Sequence, residues 1–158
     1  EENFDRKAAL EYARRWALGR NNTYYNFDKI GGDCTNFVSQ CIYAGANVMN
    51  YTTNTGWYYR SSYDRTASWS GVEYLFEFLV NNRSIGPYAD IVSEREILPG
   101  DIVQLGREEK RFYHTLIITA VSPKITVAAH SADVLDIPLL SYRYDNARFL
   151  HIGGVRKW

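Results

Sequence analysis

A thiol just ahead of a helix and three imidazoles are the groups in this chain suited to nucleophilic chemistry. Cys34 lies in the run Gly31-Gly32-Asp33-Cys34-Thr35-Asn36-Phe37-Val38-Ser39-Gln40. Apolar residues Cys34, Phe37, Val38, Cys41 and Ile42 follow the i, i+3, i+4, i+7, i+8 spacing, so they share one helix face. Cys34 is therefore expected at a helix N-terminus, with Gly45 as the C′ residue that stops the helix. Unpaired N–H groups and the helix dipole favour an anion there, which is expected to lower the thiol pKa. The two glycines let the backbone approach a ligand closely. Cys41, mid-helix in the same stripe, reads as a small buried hydrophobe. Along a continuous helix the two cysteines are separated by roughly 10 Å, beyond the ~7 Å Cα limit for a disulfide.

A nucleophilic thiol needs a base within hydrogen-bond reach, and the base needs an orienting group. His114 opens the strand Thr115-Leu116-Ile117-Ile118-Thr119, and His130 closes the next strand. His151, between Leu150 and Ile152, reads as an ordinary, partly exposed residue. If Tyr113–Val121 and Ile125–His130 form a hairpin around Ser122-Pro123-Lys124, the register decides what faces His114. A three-residue loop pairs Val121 with Ile125 and puts His130 diagonal to His114 on the same face; a two-residue loop puts Asp133 opposite it. Either side chain can hold an imidazole in one tautomer.

The elements that must position these groups are legible in outline. Residues from about Asn3 to Leu18 form a helix with the stripe Phe4, Ala8, Tyr12 and Trp16, a cap at Asn3 or Asp5, and Gly19 at its end. A long irregular segment, roughly Asn47 to Ser68, has the aromatic and polar make-up of a binding loop or lid. Ser70-Gly71-Val72-Glu73 fits a capping box, with Trp69 and Tyr74 as the hydrophobic staple. The helix it starts buries Val72, Leu75, Phe76 and Leu79 and ends at Asn82. From Leu98 the period changes to two: a Leu98-Pro99-Gly100-Asp101 turn, then strands near Ile102–Leu105, Tyr113–Val121, Ile125–His130 and Phe149–Val155. Helices first and antiparallel strands later give an α+β fold, read as one domain over residues 1–158.

Bulk properties bound the function. With 18 basic and 18 acidic residues there is no net field to gather nucleic acid or an anionic membrane. No apolar run approaches the ~18–20 residues of a membrane span. Two cysteines are too few for a disulfide scaffold. No Cys-x-x-Cys or His-x-x-x-His spacing supports a metal site, although Cys34, His114 and His130 form a minor zinc alternative. No cofactor is implied. A chain that opens Glu1-Glu2-Asn3 without an initiator Met reads as trimmed, and an extracytoplasmic or secreted setting and a monomeric state are expected.

The run Gly-Gly-Asp-Cys-Thr-Asn-Phe-Val-Ser-Gln, followed by Leu-Pro-Gly-Asp-Ile-Val-Gln, Tyr-His-Thr-Leu-Ile-Ile-Thr and Ala-Ala-His-Ser-Ala-Asp, resembles the "putative amidase" family of papain-like cysteine hydrolases. More distantly it is similar to NlpC-type and CHAP-type cell-wall peptidases. The resemblance spans Ala8 to about Asp136. It implies a papain-like (NlpC-like) fold with the Cys helix packed on an antiparallel sheet, Cys34 as nucleophile and His114 as base. His130 matches the third polar position of the NlpC order and is preferred to Asp133. Asn36-Phe37 departs from the Gly-hydrophobic pair common after Cys-Ser in NlpC enzymes, which weakens any transfer of their specificity. Lipid acyltransferases of related fold place His before Cys, the reverse of the order here.

The expected reaction is hydrolysis of an amide, in peptidoglycan stem peptides or at the glycan–peptide bond, with the Cys34 N–H as one oxyanion donor. Tyr24, Tyr25 and Asn26 are candidates for the second. Trp57, Tyr58 and Tyr25 are the expected substrate contacts. Two other readings stand beside it: a transamidase of the Cys-His-Asp type, which would use Asp133, and a non-catalytic cell-wall-binding module with Trp57, Tyr58 and Tyr59 as a sugar platform.

Overall fold

The computed structural model describes residues 2–108 and 111–158. Four helices precede most of an antiparallel sheet, an α+β arrangement. α1 (Arg6–Trp16) starts at Asp5, whose side chain accepts from the Ala8 N–H. Its buried face is alanine: Ala9, Ala13 and Ala17 have no exposed surface, while Tyr12 and Trp16 are half-buried. Small residues let α1 come close to α2 (Cys34–Ala46). Gly45 is where they meet. A Cβ there would lie 2.4 Å from the Phe4 ring and 2.6 Å from the Asp5 carbonyl oxygen. Gly45 therefore serves helix packing, and α2 ends instead at Asn47, in the left-handed conformation that asparagine tolerates.

The segment expected to be an open lid folds onto the core. Asn50 and Trp57 pair backbone to backbone. A small hairpin, β1 (Tyr59–Ser61) and β2 (Asp64–Arg65), leads to the single turn α3 (Ala67–Ser70). Trp57 and Trp69 are fully buried with ring centroids 4.8 Å apart. Their indole N–H groups donate to Ser39 Oγ and Asn36 Oδ1 of α2. Because Ser70 closes α3, it cannot also cap α4 (Val72–Asn81), whose N-cap is Gly71 without a side-chain bond. Leu75, Phe78 and Leu79 are buried on α4, whereas Phe76 is half-buried under the Arg148 guanidinium.

The remaining strands are β3 (Gly86–Val92), β4 (Ile102–Arg107), β5 (Arg111–Ala120), β6 (Thr126–Ala129), β7 (Val134–Pro138) and β8 (Asn146–Arg156). They form a sheet in the order β3-β8-β4-β5-β6-β7, every neighbouring pair antiparallel. Alternation gives it two buried faces. Ile102, Ile117, Ala128, Leu150 and Ile152 pack toward the helices. Val103, Leu105, Leu116, Ile118 and Val127 pack on the other side, under the 3-10 turn Leu139–Ser141. Two irregularities in β5 matter for the site. A bulge shifts its pairing with β6 between Ile118 and Ala120, and another skips Tyr113 opposite β4, where Leu105 pairs His114 and Gly106 pairs Phe112. Among the described residues no helix is long and apolar enough to cross a membrane.

Candidate functional site

Cys34 is the first residue of α2, delivered there by two glycines that no other residue replaces cheaply. Gly31 and Gly32 have φ of 83° and 98°, the left-handed region. Their role is to turn the chain into the helix. Asp33 follows and is fully buried, yet it makes no capping bond. Its Oδ1 accepts from the Phe27 N–H at 2.8 Å and from Asn36 Nδ2 at 2.9 Å. Its Oδ2 meets His130 Nδ1 at 2.6 Å, with Arg20 Nε 3.4 Å from the same oxygen. The carboxylate is thus the knot that ties the helix start to the end of β6.

His130 does not orient His114. Its second ring nitrogen faces the Trp16 carbonyl at 2.8 Å, and its ring stacks on Phe37 at 4.1 Å. The cause is register. Ile117 pairs with Ala128, and continuing that pairing two steps sets His130 opposite Thr115 instead of His114. The bulge at Ile118–Ala120 supplies the one-residue slip that moves it to the helix face. Asp133, the other expected partner, is held by Arg20 through Nη1 at 2.7 Å and Nη2 at 3.0 Å. Arg20 also reaches Asp28 at 2.7 Å. Burial alone would favour its neutral form, but the Asp133 and Asp28 carboxylates hold it firmly protonated. Asp28 titrates below its usual range: the Arg20 and Ser131 bonds outweigh its own burial.

Cys34 meets β5 at Thr115, the residue after His114. The Ile118 N–H bonds toward β4, to Asp101, so the N–H groups of Ile117 and Thr115 point the other way. β6 ends at Ala129, and there the Thr115 N–H meets the Cys34 sulfur. The sulfur also receives the Thr35 N–H and lies 3.7 Å from Thr35 Oγ1, which in turn meets Thr115 Oγ1 at 2.9 Å. Despite these donors the thiol pKa is raised, because burial against the strand outweighs them. The expected low-pKa thiolate is therefore corrected: the resting sulfur is a neutral thiol. Cys41 is completely buried and its thiol is pushed up further by burial.

His114 sits on the bulge, which turns Tyr113 and His114 to one side, their rings stacked at 6.2 Å. Tyr142 covers it at 5.6 Å. Among the described residues the His114 ring makes no hydrogen bond. Burial lowers its pKa from 6.5 to about 4, so the ring is neutral near pH 7. Folding stability is expected to follow. Between pH 6.5 and 4 the unfolded chain takes up a proton that the folded ring refuses, so stability falls as pH drops through that window and levels off below it. The decline amounts to up to about 3 kcal/mol, and urea unfolding of a His114→Gln variant should lack it.

Tyr142 is the site residue that the sequence concealed. Its phenol pKa is raised by burial first and then by the Cys34 sulfur, and its ring lies 5.6 Å from that of His114. One tyrosine among 13 carries no spacing signal. Arg20 and Asp28 were hidden for a related reason: Asp133, which holds Arg20, and Ser131, which bonds Asp28, are each more than a hundred residues away in the chain. Of the expected substrate contacts, Trp57 is removed, since it has no exposed surface. Tyr58 is half-buried, its hydroxyl donating to Asp64 at 3.2 Å. Tyr25 is 44% exposed and lines an open hollow of about 650 Å³ with Arg20, Tyr24, Tyr59 and Arg60. Gln40 is occupied by Tyr12.

The carboxylate of the Pro-Gly-Asp turn is structural as well. Asp101 is buried and receives Arg6 at 2.7 Å, the Ile152 N–H, the Leu98 N–H and His151.

Known proteins resemble this arrangement chiefly in sequence. The chain is 34% identical over 120 residues to the uncharacterized protein YhbB of Bacillus subtilis (strain 168), covering 74% of this chain and 37% of that protein. The chain thus spans little more than a third of the length of this relative. No solved structure matches. The model of the family described as "Putative amidase domain" matches residues 3–153, a stretch that holds Cys34, His114, Asp33 and Tyr142 alike, and the chain belongs to that amidase family.

Proposed function

We propose that this chain is a papain-like cysteine amidase, with Cys34 as nucleophile and His114 as general base and acid, acting on an amide of peptidoglycan or a related cell-wall peptide. The observation that carries the reading is the 2.9 Å contact of Thr35 Oγ1 with Thr115 Oγ1, which joins the residue after Cys34 to the residue after His114. In the resting pair both groups are neutral. The imidazole takes the thiol proton as the sulfur attacks the amide carbonyl, so no free thiolate need accumulate. The tetrahedral oxyanion is received by the Cys34 N–H, which lies in the first turn of α2 and has no acceptor within the helix. The imidazolium then protonates the leaving amine as the C–N bond breaks, leaving a thioester. Water, giving its proton to His114, attacks the thioester, and the acid product leaves as the thiol is restored.

Two features support hydrolysis over the other readings. Asp133 is committed to Arg20, which takes away the acid of a Cys-His-Asp transamidase. Trp57 is buried, which removes the centre of a sugar platform. The substrate class is tested by digesting purified peptidoglycan and identifying the fragments by mass. Release of fragments with one new amine and one new carboxylate per cut is expected. An intact polymer after prolonged incubation would exclude peptidoglycan as substrate.

A further inference from the structure

Among the described residues the His114 ring has no polar partner of the kind a Cys-His hydrolase ordinarily uses to hold its imidazole. Its neighbours are two aromatic rings, Tyr113 at 6.2 Å and 11° between planes, and Tyr142 at 5.6 Å and 49°. These rings are themselves fixed. The Tyr113 hydroxyl donates to the Arg143 carbonyl at 3.3 Å, which ties the start of β5 to the residue after Tyr142. The Tyr142 N–H donates to the Leu139 carbonyl and closes the 3-10 turn beneath it. The bulge that skips Tyr113 puts the tyrosine and the histidine on one side of the strand. Tyrosine suits this task because its ring is large and rigid, with few torsions to freeze.

Resting on the amidase reading above, we propose that Tyr142 is a positioning residue: with Tyr113 it forms an aromatic clamp that fixes the His114 imidazole beside Cys34, in the place of a polar third member. The clamp acts in two ways. It limits rotation of the imidazole by placing two rings against it, and it keeps water from the ring so that the resting base is uncharged. The second effect is the origin of the low His114 pKa, which burial alone explains. The phenol hydroxyl is dispensable in this scheme and the ring is not.

The test is a histidine NMR titration of the full chain, with peptidoglycan release measured in parallel. Tyr142→Ala is expected to raise the His114 midpoint by ~1 pH unit or more, as water reaches the ring, and to slow release about tenfold. Tyr142→Phe restores both, the midpoint to within ~0.3 units of the unsubstituted chain. Tyr113→Ala, at a 46% exposed position, moves the midpoint in the same direction by less and serves if Tyr142→Ala does not fold. An unmoved midpoint in both alanine variants overturns the clamp, and so does a Tyr142→Phe chain as impaired as Tyr142→Ala. The titration needs no turnover. Failure of the amidase reading would show separately, as hydrolysis that persists without the Cys34 thiol.

Discussion

Replacing Asp33 by alanine is expected to destabilise the fold by about 3–5 kcal/mol, because one buried carboxylate is the acceptor for several groups that have nowhere else to turn. Its two oxygens receive the Phe27 N–H, Asn36 Nδ2 and His130 Nδ1, all within 2.9 Å, and they lie beside the Arg20 guanidinium. Alanine leaves the Phe27 N–H and His130 Nδ1 buried without this acceptor, while Asn36 Nδ2 keeps only the Tyr25 carbonyl. A domain of this size has only about 5–15 kcal/mol of net stability, so urea unfolding should show the midpoint falling by a third or more. Asparagine keeps one acceptor oxygen but turns an N–H toward His130 or Phe27, so Asp33→Asn should fall between the two. A loss below ~1 kcal/mol for Asp33→Ala would mean that the helix start is held by other contacts. The same network accounts for the Asp that precedes Cys34: it fixes where α2 begins and hence where Cys34 points.

Cys34→Ala is expected to lower amide hydrolysis by at least about 10⁴-fold, and His114→Ala by about 10³-fold or more. Cys34 is half-buried and lies at the end of its helix, so its removal should shift the unfolding midpoint by no more than ~1 kcal/mol. The separation of the two effects is the point. A loss of turnover without loss of fold assigns the sulfur to chemistry, while a comparable loss of both would assign it to packing. Cys41 supplies the contrast. It lies in the same apolar stripe with no exposed surface, and Cys41→Ala should cost stability while leaving turnover per folded molecule intact. Serine at position 34 preserves shape yet is a far weaker nucleophile, and it should fail as alanine does.

The parts of the fold that the sequence revealed are those fixed by local pattern. α2 begins at Cys34 as its apolar spacing requires, α4 ends at Asn81 with Asn82 as its C-cap, and β4 and β5 follow the Pro-Gly-Asp turn. What stayed hidden was decided by non-local geometry. β3 opens on Gly86-Pro87 and makes sense only against β8, its partner some sixty residues later. Gly45 reads as a helix stop until Phe4 and Asp5 are seen to need its missing side chain. The capping box at Ser70 gives way because that serine already closes α3.

The site divides in the same manner. The motif at the start of α2 could be read directly because it is local, whereas His114, read as opening its strand, is the fourth residue of β5. The role of His130 could not be read, since a single bulged residue in β5 decides which face it takes. The thiol pKa went the other way from expectation for a similar reason. Helix N-termini favour a thiolate, but how deeply the expected strand would cover Cys34 could not be read from local pattern, and burial wins.

The most direct test is to alkylate the unsubstituted chain with limiting iodoacetamide, map the modified residue by peptide mass, and follow hydrolysis as modification proceeds. The carbamidomethyl group should appear at Cys34 and not at the buried Cys41, and activity should fall in proportion to Cys34 occupancy until none remains. A chain fully alkylated at Cys34 that still cleaves its substrate at the original rate would contradict the account.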